Sequence, residues 1–456
     1  MTTKSKSFAR QSFDMTQGNV VKQVILFTIP LLIGNLFQQM YNMVDSMVVG
    51  NVNGPQALAA VGTAGNPMQV LLALFLGVGT GATILVSQYC GAGSSDELRQ
   101  VVKTANTFLI ASSIPVTIAG LLLSAPLLRV INVPDDVFPM AQSYLMLIFL
   151  GTVANLGYNL NSGILRGIGD SRSPLIFLIY SSVMNTVLDL LFVAVFRWGV
   201  NGAAIATILS QYFAWIYSIY FMKKHYPELG MDMNPKQLHM ERGHLRDMVK
   251  LGLPLGFNNA VYSLGHVILY GLINSFGSIF MAGNTAATRV DGITFMVIAS
   301  FGTTATTFAG QNAGARKFDR MKKGIWSIMG ITCAFNVVLS VLLLLFGPQI
   351  IALFNRSPEV VEAGYDMLVR LCPYYIIYTI FHIFNCYMNG AGEVNVPTLA
   401  SLIMFWLVRL PLAYVLVYFF APKDLYYCYP ISWLVGLLIS GPYYFSGRWK
   451  RKIQMQ

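Results

Sequence analysis

The sequence predicts an all-α integral membrane protein of twelve transmembrane helices in two pseudo-symmetric six-helix bundles. Three observations carry this. The chain has 456 residues, 55% of them hydrophobic and only 11% charged, whereas soluble globular chains carry about 25% charged residues. Its apolar residues gather into runs long enough to cross a bilayer, with basic residues concentrated in alternate gaps. Its second half repeats motifs of its first at a nearly constant offset.

The apolar runs lie near 23–50, 57–89, 101–128, 137–162, 173–197, 200–222, 248–276, 279–309, 324–354, 359–388, 397–421 and 426–447. Several exceed the roughly 20 residues that a bilayer requires, so tilt or extension beyond the bilayer is expected. The two tails and the even-numbered gaps hold 23 basic residues, among them Lys4, Lys6, Arg10, Arg166, Lys223, Lys236, Arg451 and Lys452. The odd-numbered gaps hold four, Arg129, Arg197, Arg356 and Lys423. Both tails are therefore expected in the cytoplasm of a cell whose inner (plasma) membrane the chain crosses many times. The net charge of +11 follows this topology, so no nucleic-acid partner is expected. Five scattered cysteines without CxxC spacing exclude a disulfide or metal framework. The first apolar run is too long and polar for a cleavable leader, and none is expected.

The longest polar gap, 223–247, divides the runs six and six. The layout expected is a tail over 1–22, a first lobe over 23–222, a linker over 223–247, a second lobe over 248–447 and a tail over 448–456. At an offset of 223, Gln88, Gly91, Ala92 and Asp96 match Gln311, Gly314, Ala315 and Asp319. The same offset aligns Gly167, Gly169, Asp170 and Pro174 with Gly390, Gly392, Glu393 and Pro397, and an offset of 224 aligns Pro30 with Pro254. Six helices per half preserve orientation, so the repeats are parallel.

The first span carries a polar ladder, Asn35, Gln38, Asn42 and Asp45, spaced to share one helix face. A carboxylate inside an apolar helix is costly unless protein or water covers it, so this face is expected to turn inward. Gln38, Asn42 and Tyr41 are candidates for contact with a substrate, and Pro30 is a candidate hinge. The fourth span offers Tyr144 near its outer end and a stripe of Asn155, Asn159 and Ser162. The fifth places Asn185 and Asp189 four residues apart, on one face. The sixth adds Thr207 to an alanine-rich helix. If Asp45 and Asp189 meet in an apolar lobe, a proton or a bridging cation must relieve them. Na⁺ is a hard ion that oxygen ligands from Asp45, Asn185, Asp189 and Thr207 would suit. The second half has Leu269, Val408 and Leu412 at the places of Asp45, Asn185 and Asp189, so this chemistry is expected in the first half.

These stretches (IPLLIGNLFQQMYNMVDSMVVG, the repeated QxxGA loops, the RGIGDSRSP/NGAGEVNVP pair, and MNTVLDLLF followed by GVNGAAIATILSQ) resemble the multidrug and toxic compound extrusion (MATE) transporters over essentially the whole chain. The resemblance implies two six-helix lobes around a V-shaped central cleft and no enzymatic activity. It implies efflux of organic, often cationic, drugs in exchange for H⁺ or Na⁺, without a cofactor. Within the family the chain looks like the DinF-like branch, whose coupling positions match Asp45, Tyr144, Asn185, Asp189 and Thr207. The NorM-like branch has acidic residues on helices 7 and 10, where this chain offers only His266 and His382, expected to be core residues. Asp291, beside Arg289, is expected to form a local pair, and Arg409 to pair with a neighbour or snorkel. The partners expected are small organic molecules and membrane lipid, with the chain a monomer.

Three rival readings are possible; a major-facilitator carrier would also have twelve helices, but its basic GxxxDxxGRR-type loop is missing after the second span, where CGAGSSDELRQ stands. The GIGD at 167–170 and Tyr365-Asp366 resemble intramembrane aspartyl proteases, but in the wrong order and with Asp170 in a basic gap. A lipid-linked oligosaccharide flippase of the same superfamily is the closer alternative, disfavoured by the sparse intramembrane Arg and Lys.

Overall fold

The computed structural model describes residues 14–131, 133–231, 239–450 and 453. The basic residues Lys4, Lys6, Arg10, Lys236, Arg451 and Lys452 lie outside the described residues, with most of both expected tails. Among the described residues all regular structure is helical. The order is α1 (Val20–Asn53), α2 (Pro55–Ala92), α3 (Ser95–Val130), α4 (Phe138–Leu150), α5 (Thr152–Gly167), α6 (Arg172–Asp189) and α7 (Gly199–His225). It continues with α8 (Arg242–Asn274), α9 (Ser278–Gly314), α10 (Phe318–Ala352), α11 (Pro358–Leu371), α12 (Tyr375–Gly390), α13 (Asn395–Leu402), α14 (Leu410–Phe419) and α15 (Cys428–Phe445).

Nine of the described segments are long and apolar enough to cross a membrane, and α4 with α5 forms a tenth crossing bent by 52°. The break falls at Gly151, where a Cβ would stand 2.8 Å from Ile208. The continuous fourth run expected from hydropathy is therefore two helices. The other two crossings of the twelve-helix fold, α8 and α15, are less apolar. Asn258, Asn259, Ser263 and His266 interrupt α8, and α15 has 18 residues rich in Tyr, Pro and Gly. π-helical turns interrupt two further spans, at Leu190–Val195 after α6 and at Ile403–Arg409 between α13 and α14. Such wide turns free backbone carbonyls and recur at functional sites.

The chain forms two compact units, one of residues 1–14 and 29–260, the other of 15–28 and 261–456. Helices α1 and α8 each contribute to both units.

In the first unit α8 lies directly on α2. Gly77 and Gly81 face Gly252 and Gly256, each pair four residues apart. A Cβ on Gly81 would stand 2.3 Å from the Met248 carbonyl, and one on Gly77 2.5 Å from that of Gly252. Only glycine admits such an approach, the small-xxx-small device of membrane helices. The chain leading into α8 docks on α3, with the Glu241 amide donating to Thr104 at 3.2 Å and Thr107 donating to the His239 carbonyl at 3.2 Å.

In the second unit the chain leading into α1 is held in the corresponding way. Arg320 donates to the carbonyls of Met15, Gln17 and Gly18 at 2.9, 2.7 and 2.7 Å, and Asn312 to that of Met15 at 3.0 Å. Where α1 meets α9, Thr28 and Thr304 share a hydroxyl hydrogen bond of 2.7 Å. Thr304 and Thr28 are the repeat mates of Gly81 and Gly252.

The GIGD and NGAGE turns are structural caps. Asp170 accepts the backbone N–H groups of Arg172 and Ser173, each at 3.0 Å, so it caps α6. Tyr226 also donates to it at 2.9 Å; burial and then the adjacent carboxylate push that phenol above its ordinary range. Glu393 repeats the pattern, accepting from the Asn395 N–H at 3.1 Å and from Tyr443 at 3.0 Å.

Candidate functional site

Three helices of the first unit place polar side chains at one buried point. On α1, Tyr41 and Asp45 are one helical turn apart and share a face. On α6, Asn185 and Asp189 do the same, with the π-turn beginning directly after Asp189. Helix α7 supplies Thr207, whose hydroxyl lies 3.4 Å from the Asn185 amide nitrogen and 3.5 Å from the Tyr41 hydroxyl. The Asp45 and Asp189 carboxyl groups are immediate electrostatic neighbours. Asp45 and Thr207 are each 8% exposed, Asn185 1% and Asp189 not at all. Tyr144 of α4 packs against the apolar cluster that contains Val49, Val193 and Ala203.

The chemistry follows from the donors that are missing. Among the described residues, Asp45 Oδ1, Asn185 Oδ1 and both Asp189 carboxylate oxygens are buried without a hydrogen-bond donor. Ionised carboxylates only accept, so Asp45 and Asp189 can hydrogen-bond to each other only when one of them holds a proton. A small hard cation bound by oxygens would satisfy the same atoms. Buried charge left without either is expensive. A proton or a small cation is therefore the chemistry these oxygens can accommodate.

The remaining expected residues fall elsewhere, and two expectations are corrected. The polar ladder of α1 does not turn inward as a whole: Asn35, Gln38 and Asn42 are exposed, and only Asp45 is covered. Tyr41, not Asn42, shares the buried face with Asp45, because four residues is closer to a full turn than three. Asp291 does not pair with Arg289, which is exposed. It is buried and accepts a hydrogen bond from Tyr375 of α12. On α5 the Asn159 amide donates to the Asn155 carbonyl at 2.8 Å, while Ser162 is buried. Pro30 sits inside an unbroken α1, two residues beyond the point where that helix passes from one unit to the other. Its missing N–H leaves the Leu26 carbonyl without its helical partner.

In the second unit, Leu269 is buried in an apolar cluster with Phe405, Leu410 and Ala413, and Leu412 packs against it. Beside this cluster Arg409 is 1% exposed. It donates to Ser432 and to Tyr262, each at 3.0 Å, and its guanidinium lies 4.6 Å from the ring centre of Tyr429 and 4.9 Å from that of Phe405. It does not snorkel; aromatic faces and hydroxyls hold it inside. His266 packs on Tyr262 and Phe405, and His382 lies 3.3 Å from the Cys386 sulfur. Sequence reading missed the facing glycines of α2 and α8, although both Gly-x-x-x-Gly patterns are visible in it.

A family model described as MatE matches residues 30–191 and again 254–415, two matches 224 residues apart. The probable multidrug resistance protein YpnP of Bacillus subtilis is 32% identical over 96% of this chain and 98% of its own length. The probable multidrug resistance protein NorM of Thermotoga maritima is 24% identical over 88% of this chain and 86% of its own. Among solved structures, an outward-facing multidrug resistance MATE family transporter of the MOP superfamily superposes with a TM-score of 0.89 over all of both chains, at 21% identity. A MOP superfamily transporter from Pyrococcus furiosus, described as having a binding pocket of reversed polarity, superposes with a TM-score of 0.88 over 99% of each chain, at 22% identity. The fold is that of these transporters, and the chain belongs to the MatE family, whose members are multi-pass membrane transporters and not enzymes.

Proposed function

We propose that this protein is a secondary active multidrug efflux transporter, exchanging organic, often cationic, compounds outward for H⁺ or Na⁺ inward by alternating access. The observation that carries the reading is the burial of Asp45 and Asp189 as electrostatic neighbours beside oxygens that lack donors. The names of its relatives as probable multidrug resistance proteins support the substrate class. Both termini face the cytoplasm from the plasma membrane, the lobes are 23–222 and 248–447, and the chain works as a monomer among its lipids.

In this mechanism the coupling ion enters at Asp45, Asn185, Asp189 and Thr207, with Tyr144 closing the site. The drug meets the exposed amides of Gln38 and Asn42, the Tyr41 ring, and the Asn155–Asn159–Ser162 stripe. Taking up one positive charge removes the cost of burying two carboxylates together, so α1 repacks, bending near Pro30. The drug loosens because α1 carries residues of both sites. An ion drives this only through unequal affinity for two states, and bound drug must weaken the ion by the same factor.

The test is transport by purified protein in liposomes with proton and sodium gradients imposed independently, together with drug titrations at varied pH and Na⁺. Drug affinity should fall as the ion binds, and the Asp45→Asn/Asp189→Asn variant should lose that dependence. Efflux that ignores both gradients, or wild-type drug affinity that ignores both ions, overturns the reading.

A further inference from the structure

The first unit contains a cavity of about 220 Å³ between α2, α3, α5 and α8. Arg166 supplies the sole charged group of its lining. Among the described residues this guanidinium makes no hydrogen bond or ion pair; its electrostatic neighbour is the neutral Tyr158 phenol. Thr80, Thr83 and Ser112 also line the cavity, and their hydroxyls donate to their own helices' carbonyls at 3.0, 3.0 and 3.1 Å. Their lone pairs are left to accept from a ligand. Asn159 and Phe108 complete one polar and one apolar wall.

The second unit shows that this space is specific. At the repeat offset of 223, Gly79 corresponds to Gly302, Asn159 to His382, Arg166 to Asn389 and Ser112 to Phe335. A Cβ on Gly302 would stand 2.6 Å from His382 Nε2 and 3.0 Å from Cys386, so the imidazole fills that place. A Cβ on Gly79 would meet only Leu160, at 4.0 Å.

We propose that this cavity binds the anionic head of an amphiphile. A phosphate or carboxylate pairs with Arg166, hydroxyl groups of the ligand donate to Thr80, Thr83 and Ser112, and the apolar stem lies along Phe108. The volume decides the size class: drug sites run roughly 300–1,000 Å³, so this one suits a head group more than a drug-sized body. A planar guanidinium with free N–H groups is the side chain best matched to such an oxyanion.

The test is calorimetric titration of the purified full chain in detergent. Three probes are used: dioctanoyl phosphatidylglycerol, dioctanoyl phosphatidylcholine with the same tails and no net charge, and glycerol 3-phosphate with no tails. Wild type is expected to bind the phosphatidylglycerol at least tenfold more tightly than the phosphatidylcholine. Arg166→Gln should erase that difference, and Ser112→Phe, which installs the ring of the repeat mate, should close the site while keeping the charge. Glycerol 3-phosphate binding as tightly as the lipid identifies a soluble anion as the ligand; its failure beside tight lipid binding identifies a membrane head group. Equal affinity of wild type for the two lipids overturns the proposal without any variant, as does discrimination that survives in both Arg166→Gln and Ser112→Phe.

Discussion

The two compact units derive from one internal repeat, yet corresponding places in them hold opposite chemistry. The first unit buries Asp45 and Asp189 as electrostatic neighbours. The second has the apolar cluster around Leu269 and Leu412 at those places, with a buried arginine, Arg409, beside it. The first unit leaves a cavity over Gly79, whereas the second fills the corresponding space with His382. The first seats α8 on α2 through glycines; the second joins α1 to α9 through the Thr28–Thr304 hydroxyl pair. A common backbone plan has thus been kept while the buried pair of carboxylates stands in one copy only among the described residues. The proposed coupling needs an element that changes its packing when charge arrives, and among the described residues the first unit alone buries two neighbouring carboxylates. The second unit's cation cannot reproduce this, because a guanidinium does not release its proton in proteins.

The largest effect should come from removing the acid pair. Asp45→Asn and Asp189→Asn are each expected to reduce gradient-driven efflux in liposomes to background while leaving expression intact. Full drug resistance in cells carrying Asp45→Asn would remove the asymmetry on which the comparison rests.

Next in size are the helix crossings. Gly81→Leu should destabilise the first unit by at least the roughly 1–3 kcal/mol typical of overpacking, since the added carbon meets a backbone carbonyl. Thr304→Ala should cost about 0.6 kcal/mol, the average for interhelical hydrogen bonds in a membrane bundle. Thermal denaturation in detergent ranks the two, and the reverse order would break the claim that the crossings are built differently.

Arg409→Lys should lower thermal stability while leaving the ion dependence of transport intact. An ammonium cannot hold Ser432 and Tyr262 together while stacking on two aromatic faces. Measuring transport against each gradient in this variant sharpens the comparison. Loss of ion dependence as complete as in Asp189→Asn would place coupling in both units.

The smallest effects are expected at the histidines. His266→Phe and His382→Leu should retain most transport, far more than Asp189→Asn in the same assay. His266 rests on aromatic rings and His382 on Cys386, which are the contacts of packed residues.

The sequence by itself determined the fold class, the repeat and the identity of the buried acids. Hydropathy, charge placement and the offset of 223–224 residues are properties of the chain read in order, and they require no knowledge of which helix touches which. A carboxylate within an apolar run is informative for the same reason, because its cost in a membrane does not depend on the details of packing. Tertiary structure decided what covers each face. Periodicity placed Asn35, Gln38, Asn42 and Asp45 on one side of α1 but could not tell that neighbouring helices cover only the last. Tyr41 joined the site through Thr207, 166 residues away, and Asp291 found Tyr375 instead of the nearby Arg289. The cavity beside Arg166 depends on a glycine opposite no bulky side chain, although the same glycine in the second unit lies under an imidazole. Helical spacing fixes direction to within a fraction of a turn; burial, partners and empty space arise from contacts between segments far apart in the chain, where spacing carries no information.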